Sequence, residues 1–176
     1  MISNKKGSTQ RGFSLIELMI VLVIVGVALA LGLPGFKSVQ LTTKLRNYSN
    51  EMVTAVYLAR GEAIKRNGQV TLCASSNGST CAASGDWEQG WVVLDPNAHV
   101  IQAQEEMGSG FRLAGTEIGT GTGVTSVTFQ PSGLASPPSN FVLCRSAPTA
   151  GFQERKLTLL SSGRTKVETT TDAVCL

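Results

Sequence analysis

The chain has a single histidine, His99, in 176 residues, and its four cysteines never fall as Cys-x-x-Cys. Metal sites built from clustered His and Cys side chains therefore have no basis in the sequence. No nucleophile elbow or metalloprotease helix occurs, and His99 has no partner set at a recognisable spacing. Nothing argues for catalysis, a cofactor or a metal. Charged residues make up only 15%. Excess charge is scarcer still: Lys5, Lys6 and Arg11 account for the whole formal +3, leaving 12 basic and 12 acidic residues beyond Gly12. That balance excludes a general electrostatic field for nucleic acid after residue 12, so any such contact must be local. The run 119–123, Gly-Thr-Gly-Thr-Gly, lacks the Gly-Lys-Ser/Thr ending of a phosphate-binding loop and leads into a strand pattern. It reads as a plain loop.

Charge is also absent between Glu17 and Lys37. Residues 18–33 are all aliphatic, Gly, Ala or Met, and the leader ahead of them carries three bases and no acid. As a helix, residues 13–36 would extend about 36 Å, enough to cross a hydrocarbon core of about 30 Å. The basic leader would stay cytoplasmic and the remainder would be exported. Glu17 then stands at the head of a membrane-grade segment, where a charge costs roughly 2.5–3.5 kcal/mol and is a functional residue by default. A secretory signal peptide cut near Ala28-Leu29-Ala30 and a plain signal anchor are the competing readings. Neither gives a reason for Glu17.

Gly12-Phe13-Ser14-Leu15-Ile16-Glu17, following a short basic leader and opening an apolar helix, resembles the class III signal of type IV prepilins. The resemblance implies that a membrane-embedded prepilin peptidase cuts after Gly12 and methylates the new N-terminus at Phe13. It also implies that the Glu17 carboxylate meets the positively charged N-terminus of a neighbouring subunit, with the 18–33 face as assembly surface; simple lipid anchoring is the plainer account of that face. Ala59-Arg60-Gly61-Glu62-Ala63-Ile64-Lys65-Arg66-Asn67 and Trp87-Glu88-Gln89-Gly90-Trp91 resemble the GspH/FimT group of minor pilins and pseudopilins. Gly163-Arg164-Thr165-Lys166 resembles the Gly-Arg-x-Arg element of FimT-type minor pilins, a basic turn associated with DNA capture. Lys166 departs from that element: it keeps the charge and loses the bidentate fork of arginine. Arg145, Arg155 and Lys156 are expected to widen the patch. A solvated hairpin turn accounts for the same residues.

The organisation follows: leader peptide 1–12, transmembrane and assembly helix 13–36, amphipathic helix 37–68, and a β-rich periplasmic domain 69–176. Pro34-Gly35 should kink or loosen the helix. Leu41, Leu45, Tyr48, Met52, Val56, Ala59 and Ala63 then form one apolar stripe, and Asn67-Gly68 supplies the stop. Strands are expected at 69–75, 90–95, 100–105, 124–130, 140–145, 156–161 and 165–170. Alternation would bury Val70, Leu72 and Ala74, Phe141 and Leu143, and Leu157 and Leu159. With no helical pattern between strands, the sheet should be mainly antiparallel. The fold class is therefore α+β, a long N-terminal helix packed by its second half on an antiparallel sheet. Cys73, Cys81, Cys144 and Cys175 suit disulfides in an oxidising compartment. They allow three pairings, among which a short Cys73–Cys81 bridge leaves Cys144 for Cys175. Trp87 and Trp91 either fill the core between helix and sheet or stack on a partner.

Taken together, the resemblance implies a non-enzymatic minor pilin that primes or caps a type IV pilus. Its partners would be the prepilin peptidase, other major and minor pilins or pseudopilins, inner-membrane lipid and, through Arg164 and Lys166, double-stranded DNA. The alternative is an H-type pseudopilin of a type II protein secretion system.

Overall fold

The computed structural model describes residues 12–146 and 153–170, with the side chains of 30–38 outside that description. One helix, α1, spans Leu15–Arg66. Pro34 and Gly35 fall inside it and do not end it. The chain divides into two compact units, residues 1–39 and 40–176. All the strands belong to the second.

The Asn67-Gly68 pair stops α1 as expected. Asn67 takes a left-handed φ of 50°. Its N–H donates to Ile64 O at 3.3 Å and that of Gly68 to Ala63 O at 3.2 Å, so the last carbonyls find partners. Gly68 is small because a Cβ there would stand 2.6 Å from Pro96 Cγ. The helix end is also held to the loop after the second strand. Arg66 bridges Glu62 at 2.6 Å and Asp95 at 3.3 Å. The His99 backbone N–H, foremost among several donors to Asp95, keeps that carboxyl below its ordinary range.

Among the described residues nine strands follow: β1 Val70–Ala74, β2 Trp91–Leu94, β3 Val100–Gln104, β4 Phe111–Glu117, β5 Ser126–Phe129, β6 Ala135–Ser136, β7 Ser139–Arg145, β8 Glu154–Leu159 and β9 Thr165–Thr170. Every pairing is antiparallel. The strands form two sheets rather than one, ordered β3-β2-β1-β5-β6 and β4-β7-β8-β9. The chain changes sheet three times: between β3 and β4 at residues 105–110, at the 119–123 loop, and at Pro137-Pro138, where two residues without N–H donors cannot continue a ladder. A single core joins both sheets to α1. Leu45, Met52, Val56, Ala59 and Ala63 of the expected stripe are buried against Val70, Leu72, Ala74, Phe141, Leu143, Leu157 and Leu159, with Leu41 and Tyr48 at its edge.

Cys73 and Cys81 form a disulfide with Cα atoms 5.4 Å apart, eight residues apart in sequence. Cys73 is fully buried with Val92 and Leu94 on the outer face of the first sheet. Within the bridged loop, Asn77 Oδ1 accepts the N–H groups of Ser79 at 2.9 Å and Thr80 at 3.0 Å. Cys144 is also disulfide-bonded; Cys175, its expected partner, lies outside the described residues. Closing a loop this short restricts the unfolded chain by about 2–3 kcal/mol. The double substitution Cys73→Ala/Cys81→Ala should therefore lower the urea midpoint by about 1–2 M at an ordinary m-value. A midpoint unchanged in equilibrium denaturation would show that the loop's own hydrogen bonds suffice.

Candidate assembly and binding surfaces

The N-terminal segment presents apolar side chains on every side. From Gly12 through residue 29 each one is exposed, from Phe13 at 79% to Val21 at 46%. Glu17 is the only charge among them and lies in the first turn of α1. Among the described residues no helix is long and apolar enough to cross a membrane. The apolar stretch with described side chains, 15–29, gives about 22 Å of helix, short of a core of about 30 Å. Its apolar continuation at 30–33 contributes sequence but no described side chains.

Sequence reasoning passed over Ser14. It stands immediately before α1, and its carbonyl accepts the first helical bonds, from Glu17 N at 3.1 Å and Leu18 N at 3.2 Å. Ser14-Leu15-Ile16-Glu17 has the Ser-x-x-Glu signature of a capped helix start, which was there to be read. An acid at this position also faces the positive end of the helix dipole. Gly12, just upstream, is open: a Cβ there would meet nothing within 4 Å.

The basic turn lies in the second unit, at the β8–β9 connection. Leu160 N donates to Arg164 O at 3.0 Å and Gly163 N to Leu160 O at 2.9 Å, with Gly163 at φ 73°. Glycine is required there twice over, because a Cβ would also collide with Gly133 O. The hairpin sits against α1 through a hydrogen bond between Thr165 Oγ1 and Tyr57 OH at 3.0 Å, while Arg60 Nε donates to Gly133 O at 3.1 Å. Arg164 is exposed. Lys166 is exposed but committed: its Nζ lies 2.6 Å from Glu168 Oε1. That hydrogen bond, and then the ammonium charge, hold the Glu168 carboxyl below its ordinary range.

The expected widening of this patch does not occur as drawn. Lys156 faces Glu168 across the β8–β9 ladder, so a carboxylate stands between it and Lys166. Arg155 pairs with Thr169, the far end of the hairpin from Arg164, and Arg145 ends β7 opposite Phe111. Strand alternation places both arginines on the inner face, with Leu143 and Leu157.

Both tryptophans are core residues. Trp87 is 0% and Trp91 1% exposed, so neither is free to stack on a partner. The 119–123 loop folds on itself, Glu117 N donating to Thr122 O at 2.8 Å and Gly121 N to Glu117 O at 3.0 Å. Among the described residues no cluster of three His, Cys, Asp or Glu side chains is placed to hold a metal ion.

Comparison with known proteins accounts for both units. The pattern of the Type II transport protein GspH family matches residues 49–163, and the prokaryotic N-terminal methylation motif matches residues 7–33. The chain is 29% identical to the pilin-like protein PilA1 of Thermus thermophilus, over 91% of this chain and 99% of that one. Its fold is similar to the type IV minor pilin FimU of Pseudomonas aeruginosa, with a TM-score of 0.56 and 18% identity over 76% of this chain and 96% of that one. It is also similar to the minor pseudopilin EpsH of the Vibrio cholerae type II secretion system, with a TM-score of 0.53 and 11% identity over 73% and 98%. The chain belongs to the GspH family, the minor pilins and pseudopilins that serve type IV pili or type II secretion.

Proposed function

We propose that the chain is a non-enzymatic minor pilin, cleaved after Gly12, methylated at Phe13, held in the inner membrane by residues 13–36, and then built into a type IV pilus-like filament that it primes or caps. The observation that carries this reading is the N-terminal segment itself. A helix with exposed apolar side chains all round and one carboxylate in its first turn is unstable in water and suited to lipid or to a bundle of like helices. The near full-length match to a pilin-like protein supports the pilus over the H-type pseudopilin of a type II secretion system. Both share the same processing.

Because a Cβ at Gly12 meets nothing in the chain, Gly12→Val tests the peptidase rather than the fold. The variant should accumulate at its unprocessed mass, whereas the native chain yields an N-terminal peptide beginning at methylated Phe13. A processed Gly12→Val chain would remove this reading of the junction.

DNA capture by the basic turn is a second reading, supported by the exposure of Arg164 at a hairpin tip. With Lys166 already paired to Glu168, at most two phosphate contacts form here. Each contributes a salt slope of roughly −0.9, so binding should weaken only about tenfold between 50 and 200 mM salt. Titration of the full chain in detergent with duplex DNA should show that slope, and Arg164→Ala should weaken binding more than Lys166→Ala. Absence of binding at the lowest salt would leave filament assembly alone.

A further inference from the structure

Two arginines have no role in the processing segment or the basic turn. Arg145 and Arg155 both lie on the inner face of the second sheet. Leu143 is the direct partner of Arg155, so Arg145, two residues on, is its diagonal neighbour. At that spacing, about 7–8 Å between backbones, two long side chains can meet at one point. Arg145 is seated by its guanidinium carbon lying 4.9 Å above the Phe111 ring, and Phe111 is fixed in turn by an edge contact with Tyr48 at 5.1 Å.

Apart from the Phe111 face beneath Arg145, neither cation is matched among the described residues. The Nε atoms of both are buried without a hydrogen-bond partner, and among the described residues neither arginine forms an ion pair. The nearest acid in sequence, Glu154, alternates to the other face, where its carboxylate takes the backbone N–H of Arg145 instead. Buried unmet donors on adjacent like charges are unfavourable twice over. An oxyanion at the accessible part of the two arginines would offset the like charge; their buried Nε atoms are not what it meets. Each residue as a whole remains part-exposed, so a ligand has access.

We infer that Arg145 and Arg155 form a binding site for a phosphate-class oxyanion, with Phe111 as the platform that holds Arg145 in place. Two planar guanidinium forks suit a group offering several oxygens, where a single lysine would supply only a point charge. The phosphate has two possible sources, a phospholipid headgroup or free phosphate. The site lies toward Tyr48, on the entering half of the domain's helix, and away from the Arg164 turn at Tyr57 and Arg60. The lipid source rests on the membrane-anchored reading above; the anion site does not.

The test uses the full chain in detergent, with thermal unfolding followed by the near-ultraviolet signal of the buried tryptophans. The probes are inorganic phosphate and micelles doped with phosphatidylglycerol, against phosphatidylcholine as the uncharged reference. Above half-saturation the midpoint should rise by roughly 3–5 °C per tenfold of probe. That rise should vanish in Arg145→Gln/Arg155→Gln and persist in Lys44→Gln/Lys65→Gln, which loses the same charge at two exposed positions elsewhere. Arg155→Gln alone, which leaves Arg145 on Phe111, guards against a double variant that fails to fold and should weaken the response about tenfold. A response to inorganic phosphate but not to phosphatidylglycerol keeps the site and removes lipid as its occupant, independently of whether the chain is membrane-anchored. No response to either, or an equal loss in both double variants, overturns the site.

Discussion

Replacing Glu17 with glutamine should leave the chain cleaved and membrane-associated but reduce its recovery in sheared filaments by about two to three orders of magnitude. The size follows from what is removed. Cleavage after Gly12 would put a free amine at Phe13, one residue before Ser14 and the start of α1. That amine and the positive end of the helix dipole carry the same sign. In a bundle of apolar helices the resulting charge needs an anion, and Glu17 is the only one in the segment. Breaking such a buried pair by removing one partner costs roughly 3–5 kcal/mol, against about 1.4 kcal/mol for each tenfold in equilibrium.

Glutamine is the informative substitution because it serves the Ser-x-x-Glu/Gln capping position as well as glutamate does. Glu17→Gln therefore removes charge and keeps the helix start, while Glu17→Ala removes both. If the two variants assemble equally poorly, the charge is responsible. If only Glu17→Ala fails, capping is the role and the pairing hypothesis is lost. Membrane fractionation of each variant separates an assembly defect from an anchoring defect.

How far the fold could be read from the sequence depended on whether each segment's pattern was local. The α1 stripe from Leu45 to Ala63 and the alternation in β1, β7 and β8 were readable because burial there follows the 3.6 or 2.0 repeat. Strand β4 was missed although Phe111, Leu113 and Gly115 do alternate inward. Gly115 stands where an apolar side chain would complete the pattern, and it flanks a glycine-rich loop. Division into two sheets was likewise not legible, since nothing local says which strands will pair. The reach of the basic turn was misjudged for the same reason: Arg145 and Arg155 are near Arg164 on paper, but strand register carries them to the inner face and the other end of the hairpin. Ser14 was a different kind of miss, a local signal overlooked beside Glu17.

The missing side chain at Gly115 leads to the other large expected effect, at Trp87. The indole is fully buried. Its Nε1 donates to Val124 O at 2.6 Å and its ring meets Phe141 edge-on at 5.0 Å. A Cβ on Gly115 would stand 2.6 Å from that same nitrogen and 2.8 Å from Val124 O. Gly115 is thus empty so that Trp87 can cross β4, one strand of the second sheet, and reach the chain leading into β5 of the first. Trp87→Ala should cost about 3–5 kcal/mol in cavity and lost transfer energy, with a further 1–3 kcal/mol if the Val124 carbonyl is left unpaired. Against a total stability of about 5–15 kcal/mol, that leaves the domain close to unfolding. Trp87→Phe keeps most of the volume and should lose mainly the hydrogen bond. Gly115→Ala should approach the damage of Trp87→Ala without removing an atom, because neither backbone oxygen nor indole can retreat in a filled core. Urea denaturation of the three variants, with the Cys73–Cys81 bridge intact, orders them. A Gly115→Ala chain as stable as the native one would mean that the indole has somewhere else to go, and that Trp87 does not join the sheets.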